Sequence, residues 1–544
     1  MAEHGISGIE IAEQNGADHA IERLPTGITA FVGRTLKGPI NQAVTVANLS
    51  EFQLTFGGLW QPSTLSYAIE QFFDNGGRAA IVVRVVNGAR PPTLSLPAGG
   101  NQLRLAGVNP GSREYLRASV DYDGIGENES DRFNLVVQRV RAPGSELIED
   151  QEIFRRLSIG VESGRFVTDV LLESRLVRAT GDVPAQRPDP STSGPGGAAV
   201  GYVNSNPDGD DGAPLTDYDV IGSAIDGTGL FALKGSRGFN FLCIPPLARE
   251  QDIGSSTLLV AARFCRDQHA MLIVDPPAAW GTAGGALDAL PSWPFRSENA
   301  VMYFPRVIGF DRLRGRAECF GSAAAAAGMI ARADETWPVW AAAESDDSVL
   351  RPGLRPASPV TDTERARLAH AGVNTLLAVR PSTPRSGSGP RTLAAGGGAG
   401  ASEFKFLAAR RLALFILASI ERGTRWVVFE RSGPAAWQSA QRQVEAFLER
   451  LDEQHAFAGR TPEETYFVIC DERINDADSI AAGRINLLFG FAAARPGDFQ
   501  AWLVTHQPGS SRVRHVSVNR MATSQRRLEW EIETAILRGL VLEH

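Results

Sequence analysis

Hydrophobic positions along the chain follow two periods in turn. Thr29-Ala30-Phe31-Val32-Gly33 is a short apolar run with strand character. Leu65, Ile69, Phe72 and Phe73 then fall at i, i+4, i+7 and i+8, one face of a helix. Asn75-Gly76-Gly77 is a helix stop, and Ala79 to Val86 is a second apolar strand. Strand, helix and strand in that order predict an α/β beginning. The logic returns further on, with a strand over 239–244, a helix over 256–268 and a strand over 270–275, which favours a parallel pair. An Ala-rich helix is predicted over 321–333.

Between about 90 and 212 the pattern changes. Short strand-like runs, such as Phe133 to Val137 and Arg165 to Leu172, alternate with turn clusters. This block reads as a β-rich insertion. Arg187 to Gly197 and Pro381 to Ser402 are rich in Pro, Ser and Gly and read as mobile loops. The last third is the most regular. Helices are predicted over 404–421 and 435–454, with Trp437, Val444, Phe447, Leu448 and Leu451 as the apolar stripe of the second and Arg442, Glu445, Glu449 and Glu453 opposite. Strands are predicted over 425–430, 466–470, 498–505 and 512–519, the last with Val516 and Val518 on one side. Residues 525–542 are helix-like, with an apolar face of Leu528, Ile532, Ala535, Ile536 and Leu540 that needs something to pack on. At the other end, the run around Ile6, Ile9 and Ile11 alternates over too few residues to make a sheet of its own. Such a strand frays or joins another sheet's edge. The expected class is therefore α/β (a mixed α+β core) with an inserted β-rich domain and extended N- and C-terminal arms. Its segments are an arm over 1–24, core over 25–90, insertion over 91–212, core over 213–380, loop over 381–402, a C-terminal core domain over 403–510 and an arm with a terminal helix over 511–544.

Composition narrows the function. The 54 Lys+Arg against 62 Asp+Glu give a net charge of −8, which disfavours general nucleic-acid binding because phosphate contacts need excess cations. The cysteines Cys243, Cys265, Cys319 and Cys470 form no CxxC pair, so neither a disulfide framework nor a zinc site is expected. The opening residues have neither a basic nor an apolar segment of a secretory signal, and the longest apolar run, Leu412 to Ile420, reads as a buried helix rather than a membrane span. There is no GxxxxGK[ST], no HExxH and no GxSxG, and the eight histidines are scattered. The acidic loop from Asp121 to Asp131 has Ile125 and Arg132 where a calcium loop needs an oxygen ligand and a glutamate, and Asp208 to Gly212 is turn chemistry. Weight moves from catalysis to a structural role, with no cofactor expected.

Several segments in order resemble the tail sheath proteins of contractile phage tails and contractile injection systems. They are Pro25 to Pro39, Ser66 to Val85, Asn109 to Ser112 with Phe133 to Val137, Asp210 to Leu233, Leu242 to Pro245 and Asp275 to Pro277. The C-terminal third matches best, through Gly372-Val373-Asn374, Arg391-Thr392-Leu393, Arg410-Arg411-Leu412, Gly423 to Glu430, Cys470-Asp471-Glu472, Ala482-Gly483-Arg484 and Arg495 to Phe499. The series is collinear over roughly residues 5 to 507, whereas the segment after about 510 runs beyond many relatives.

The resemblance implies a structural subunit, not an enzyme, that polymerises helically around an inner tube and contracts to drive that tube through a target envelope. Its implied partners are itself, the inner tube protein, and baseplate and terminator or cap proteins, with no nucleic acid and no membrane insertion. Synthesis in the bacterial cytoplasm and incorporation into a phage tail or injection-system particle follow from the same resemblance. Arms carrying Ile6, Ile9 and Ile11 at one end and Val516 and Val518 at the other would add strands to neighbours, and Arg442, Glu445 and Glu449 are the candidate tube contact. A non-contractile baseplate or coat relative is the alternative expectation.

Overall fold

A computed structural model describes residues 20–193, 199–236, 238–341, 349–378, 389–396, 403–430 and 432–516. The positions Ile6, Ile9, Ile11 and Val518, and the helix-like pattern over 525–542, lie outside the described residues. The fold is mixed α/β, with several separate sheets. The described residues fall into two compact units, a larger one of 26–337 and 349–405 and a smaller one of 20–25, 338–341 and 406–516.

The larger unit is built on a seven-stranded sheet. Its strands are β1 (Thr29–Gly33), β2 (Ala43–Val46), β3 (Ala80–Arg84), β4 (Phe241–Cys243), β5 (Met271–Val274), β6 (Ala300–Phe304) and β7 (Val373–Thr375), in the spatial order β7-β6-β5-β4-β1-β3-β2. All neighbours are parallel except β2 and β3. Every residue of β1, β3, β5 and β6 is buried, as a parallel sheet covered on both faces requires. The crossover between β1 and β3 is α1 (Thr64–Asp74), which starts where the Ser63 hydroxyl accepts the Ser66 N–H and buries Leu65, Ile69 and Phe72. Helix α2 (Ser255–Asp267) links β4 to β5, and the Ala-rich α3 (Ala323–Ala333) packs on α1. Half-buried Asp275, just after β5, accepts the Ala323 N–H at 2.7 Å and so caps α3 from outside its own sequence; desolvation holds that carboxyl above the usual range.

β3 and β4 both flank β1, so everything between them is inserted into one continuous sheet. The insertion is β-rich. Its four-stranded antiparallel sheet orders Val203–Asn204, Tyr115–Asp121, Arg132–Val140 and Ile148–Ser158, and a three-stranded sheet orders Thr93–Ala98, Asn101–Gly107 and Val177–Thr180. Both acidic loops work as staples. Asp211 accepts the Ser112 N–H and hydroxyl at 2.8 and 2.7 Å, Asp208 accepts the Thr93 N–H at 2.9 Å, and Arg34 donates to the carbonyls of Asp211 and Gly212 at 2.8 Å. The exit of the insertion is thereby tied to its entrance. Asp121 accepts the Asp123 N–H and Asn134, while Glu129 pairs with Arg156 and Arg132. The described residues contain no cluster of three or more metal-ligand side chains. Buried Glu114, its carboxyl raised by burial, faces Arg139 at 3.7 Å, and Arg139 also faces Glu149, the partner of Lys37.

One expectation is corrected here. Arg165 to Leu172 is not a strand. Val167–Leu171 is a short helix, because the buried pair Val167 and Leu171 is spaced i, i+4. The loop expected over 187–197 is held in its described part: Arg187 donates to the carbonyls of Glu129 and Arg132 and stacks on Tyr122, whose hydroxyl donates to the Pro188 carbonyl at 2.7 Å. Within 381–402 the described stretch 389–396 is fixed, since Asn374 exchanges hydrogen bonds with the Arg391 backbone at 2.7 and 2.9 Å and Leu393 is fully buried. Turn-forming composition sets local geometry, and side-chain donors from distant strands decide whether such a segment is anchored.

The smaller unit holds helices α4 (Leu407–Gly423) and α5 (Pro434–Glu453), the short helix α6 (Ala477–Ala481), and a four-stranded antiparallel sheet of β8 (Tyr466–Ile469), β9 (Ile485–Phe491), β10 (Gln500–Gln507) and β11 (Ser510–Val516), in that spatial order. Leu412 to Leu417 are buried in α4, and no helix among the described residues is long and apolar enough to cross a membrane. The strand expected over 425–430 is absent. Arg425–Phe429 is a single 3-10 turn with i to i−3 backbone bonds from Val427 to Thr424 and from Glu430 to Val427. Its β-branched and aromatic residues favour a strand, but only Val427 is buried, so the alternation that would fix one is missing.

Candidate assembly interface

The four-stranded sheet of the smaller unit holds Val516 and packs beside the helix that carries Arg442, Glu445 and Glu449. Its inner face carries Leu487, Phe489 and Phe491 on β9, Trp502, Val504 and His506 on β10 and Val513 on β11. Phe489 and Phe491 stack on Trp502 at 6.1 and 5.1 Å. α5 packs on β8 and β9, and α4 meets β11. Buried His506 ties the sheet to the end of α4. Thr424 donates its hydroxyl to the Ile420 carbonyl at 2.6 Å, so its oxygen accepts His506 Nε2–H at 2.8 Å, and Nδ1 accepts the Ser511 hydroxyl at 2.8 Å. Burial lowers this imidazole to about 4, so the ring is neutral at neutral pH.

Each end of the sheet has a chain segment rooted beside it. Ile21 is 2% exposed and sits against Gly423, where an added Cβ would lie 2.8 Å from the Ile21 side chain. Arg450 donates to the Ile21 carbonyl at 3.3 Å, and Arg23 lies over the Trp340 ring at 5.7 Å. The segment leading to Ile6, Ile9 and Ile11 is therefore anchored at its base on α4 and α5. At the other end, Val516 pairs with Ala501 of its own chain, the last step of a ladder that runs without interruption from Gln507 and Ser510. The strand carrying Val516, expected to leave for a neighbour, is thus paired at home through its inner edge. Among the described residues no strand occupies its outer edge.

The candidate tube contacts lie on α5. Arg442 and Glu449 are exposed; Glu445 is half-buried and accepts Gln441 Nε2 at 2.8 Å. The Gln441 amide oxygen in turn accepts the Cys470 N–H at 3.1 Å, so Glu445 also orients the side chain that holds the end of β8. Glu445 and Glu449 come together with Asp452 and Glu463 around Tyr466, whose hydroxyl is raised first by burial and then by those four carboxylates. Arg442 is not part of that group. One exposed residue leaves no trace in the hydrophobic pattern. Phe429, inside the resemblance segment 423–430, is 91% exposed, and a strand reading gives no reason to single it out.

No protein-family model and no curated protein matches the sequence. Solved structures do. The sheath complex of the extracellular contractile injection system PVC, in its contracted state, matches over 92% of this chain and 97% of its own, with a TM-score of 0.51 and 16% identity. A sheath tail protein from Listeria innocua matches over 90% and 97%, with a TM-score of 0.57 and 11% identity. The chain has the tail sheath fold. In that fold the two arm roots and the acidic side of α5 all belong to the smaller unit, whereas the insertion and its staples belong to the larger one.

Proposed function

We propose that this chain is the structural subunit of a contractile tail sheath, which polymerises helically around an inner tube and contracts to drive it through a target envelope. The observation that carries the reading is the sheath fold across nine-tenths of this chain and nearly all of each matched chain. The open edge of the four-stranded sheet supports it. An edge that presents unpaired N–H and C=O groups accepts a strand from another copy. We assign that role to the segment around Ile6, Ile9 and Ile11 of a neighbour, with Val516 and Val518 at the receiving arm. Because donor and acceptor surfaces differ, the contact is heterologous and propagates as a helix rather than closing into a dimer.

Contraction is then a change between two packings of one sequence. The strand link keeps neighbours joined while the bodies rotate. A gain of about 1–3 kcal/mol per subunit, the scale of ordinary coupling energies, becomes decisive when summed along an array, and no nucleotide or other cofactor is required. The subunit's other partners are the inner tube, met by Arg442, Glu445 and Glu449 of α5, and the baseplate and terminator or cap proteins. Assembly takes place in the bacterial cytoplasm, within a phage tail or an injection-system particle.

Deleting residues 1–12 tests the link. The truncated chain is expected to keep its thermal unfolding profile and to form no extended arrays by electron microscopy. Arrays of normal length would overturn the linking role.

A further inference from the structure

Two exposed surfaces of the larger unit are unlike each other and complementary. The first is a closed loop after the short helix Asp217–Ile221. Asp217 fixes that helix at the start of α2 by accepting the Gly254 N–H at 2.8 Å. In the loop, the Ser223 N–H donates to the Thr228 hydroxyl at 2.9 Å, and the Thr228 N–H donates to the Ser223 carbonyl at 3.0 Å. The Asp226 N–H donates to the Ser223 hydroxyl at 3.2 Å. The loop is thus held by its own bonds, yet it presents Ile225 at 97% exposure, and the helix before it presents Tyr218 at 85%. From 213 to 233 the chain carries Asp217, Asp219 and Asp226 and no basic residue. The second surface is one face of a three-stranded antiparallel sheet, Arg316–Phe320, Val307–Asp311 and Leu354–Pro356 in that order. Its inner face packs on α1, where Phe320 stacks on Tyr67 at 5.2 Å. Its outer face carries Phe310 opposite Ala317, and Ile308 between Cys319 and Arg355. Phe310 is 64% exposed, and Leu313, Ala317, Cys319 and Arg355 are exposed as well. Arg312, Arg314 and Arg316 stand exposed at the hairpin tip, whereas Asp311 is buried and Glu318 half-buried.

We propose that the loop bearing Ile225 and Asp226 of one copy docks on the Phe310 face of a second copy. The proposal rests on the reading that copies of this chain assemble. Three observations select that occupant. The first is shape and polarity. Single exposed apolar residues are ordinary on a protein surface, but here a loop closed by its own hydrogen bonds holds an isoleucine clear of the fold. It can cover an aromatic sheet face without a loop to order first. The second is charge. Asp226 and Arg355 are both exposed, and neither stands in an ion pair among the described residues. Docking sets an acidic loop against a basic hairpin, with Asp226 facing Arg355 at the rim of the contact. The third is placement. Phe31 of β1 meets Phe72 of α1, whereas its neighbours Ala30 and Val32 share a core cluster with Val220 and with Leu258 and Phe264 of α2. The loop therefore belongs to the α2 side of the seven-stranded sheet and the hairpin to the α1 side. One copy cannot close the two surfaces on itself, so the contact is heterologous and repeats from copy to copy.

The test uses the full chain and its own exposed thiol. Cys319 lies in the proposed docking face, and Cys243, Cys265 and Cys470 are buried. Ile225→Cys in the otherwise native chain is expected to give, on mild oxidation, a ladder of linked dimers, trimers and longer products. Neither the native chain nor Ile225→Cys combined with Cys319→Ser is expected to give one. Absence of the ladder, or an equal yield of linked chains from those two controls, overturns the contact. Asp226→Arg added to Ile225→Cys is expected to slow ladder formation about ten-fold, and Arg355→Asp added in turn to restore it, because like charges facing each other across a contact repel. An unchanged rate, or no restoration, overturns the pairing of the two surfaces. Regular arrays by electron microscopy without a ladder would reject this contact and leave the sheath reading standing; a ladder without arrays would do the reverse.

Discussion

The seven-stranded sheet of the larger unit and the four-stranded sheet of the smaller one bury their strands in different ways. In the larger unit β1 and β3 are buried at every residue, and the parallel ladder is closed between helices. In the smaller unit β10 buries Ala501, Trp502, Val504 and His506 but leaves Leu503 and Thr505 half-buried, and no residue of β11 is buried. A strand covered on both sides can be exchanged only by dismantling the core. A strand at an antiparallel edge can gain a partner while every existing bond stays in place. The difference teaches where the molecule stores stability and where it is free to make contacts.

The largest effect sharpens that contrast. Phe31→Ala removes a fully buried ring from β1 that meets Phe72 edge-on at 5.4 Å and should cost about 3–5 kcal/mol in denaturant unfolding. Val513→Ala on half-buried β11 should cost about 1 kcal/mol. Equal costs would erase the distinction between scaffold and edge.

The next effect is a pH dependence. His506 titrates near 6.5 when unfolded and at about 4 when folded, so folding favours its neutral form. That contribution is complete above pH 6.5 and is lost as pH falls towards 4, a change of about 3 kcal/mol by linkage. Urea unfolding at pH 7 and pH 4.5 should show a smaller loss for His506→Gln than for the parent chain. The same loss in both would remove His506 as the acid-sensitive tie between sheet and helix.

How much of this was legible in sequence depends on how far each cause reaches. The β1–α1–β3 start and the stripe of α5 were legible because period and burial coincide there. Ile485–Phe491 carries no strand signal in the pattern analysis, since five of its seven residues are apolar in an almost unbroken run and alternation is hidden by burial on both sides. The turn at Arg425–Phe429 was misread because strand-favouring residues had no sheet edge to meet. The ladder from Ser510 to Val516 shows as a strand, but no residue in it reveals whether its partner lies in the same chain. For the interface, the charged face of α5 was legible, whereas the bond from Gln441 to the Cys470 backbone joins positions 29 apart and leaves no periodic trace.

Smaller effects probe the open side. Gly423→Ala places a methyl group against Ile21 and should cost about 1 kcal/mol locally. The readout is faster hydrogen exchange over 20–25 with the larger unit unchanged; unaltered exchange would mean that the arm is not rooted there. Smallest of all, Arg442→Glu with Glu449→Arg changes exposed positions and should move stability by less than about 0.5 kcal/mol. Its expected consequence is confined to binding of the inner tube protein, measured by co-sedimentation. Unchanged binding would take the tube contact away from this face of α5.

The central claim is that this fold exists to polymerise. Negative-stain electron microscopy of the purified full-length chain, over a range of concentrations, tests it most directly. The account predicts hollow, regular tubes or stacked rings; single particles at every concentration, with the inner tube protein present as well as absent, would contradict it.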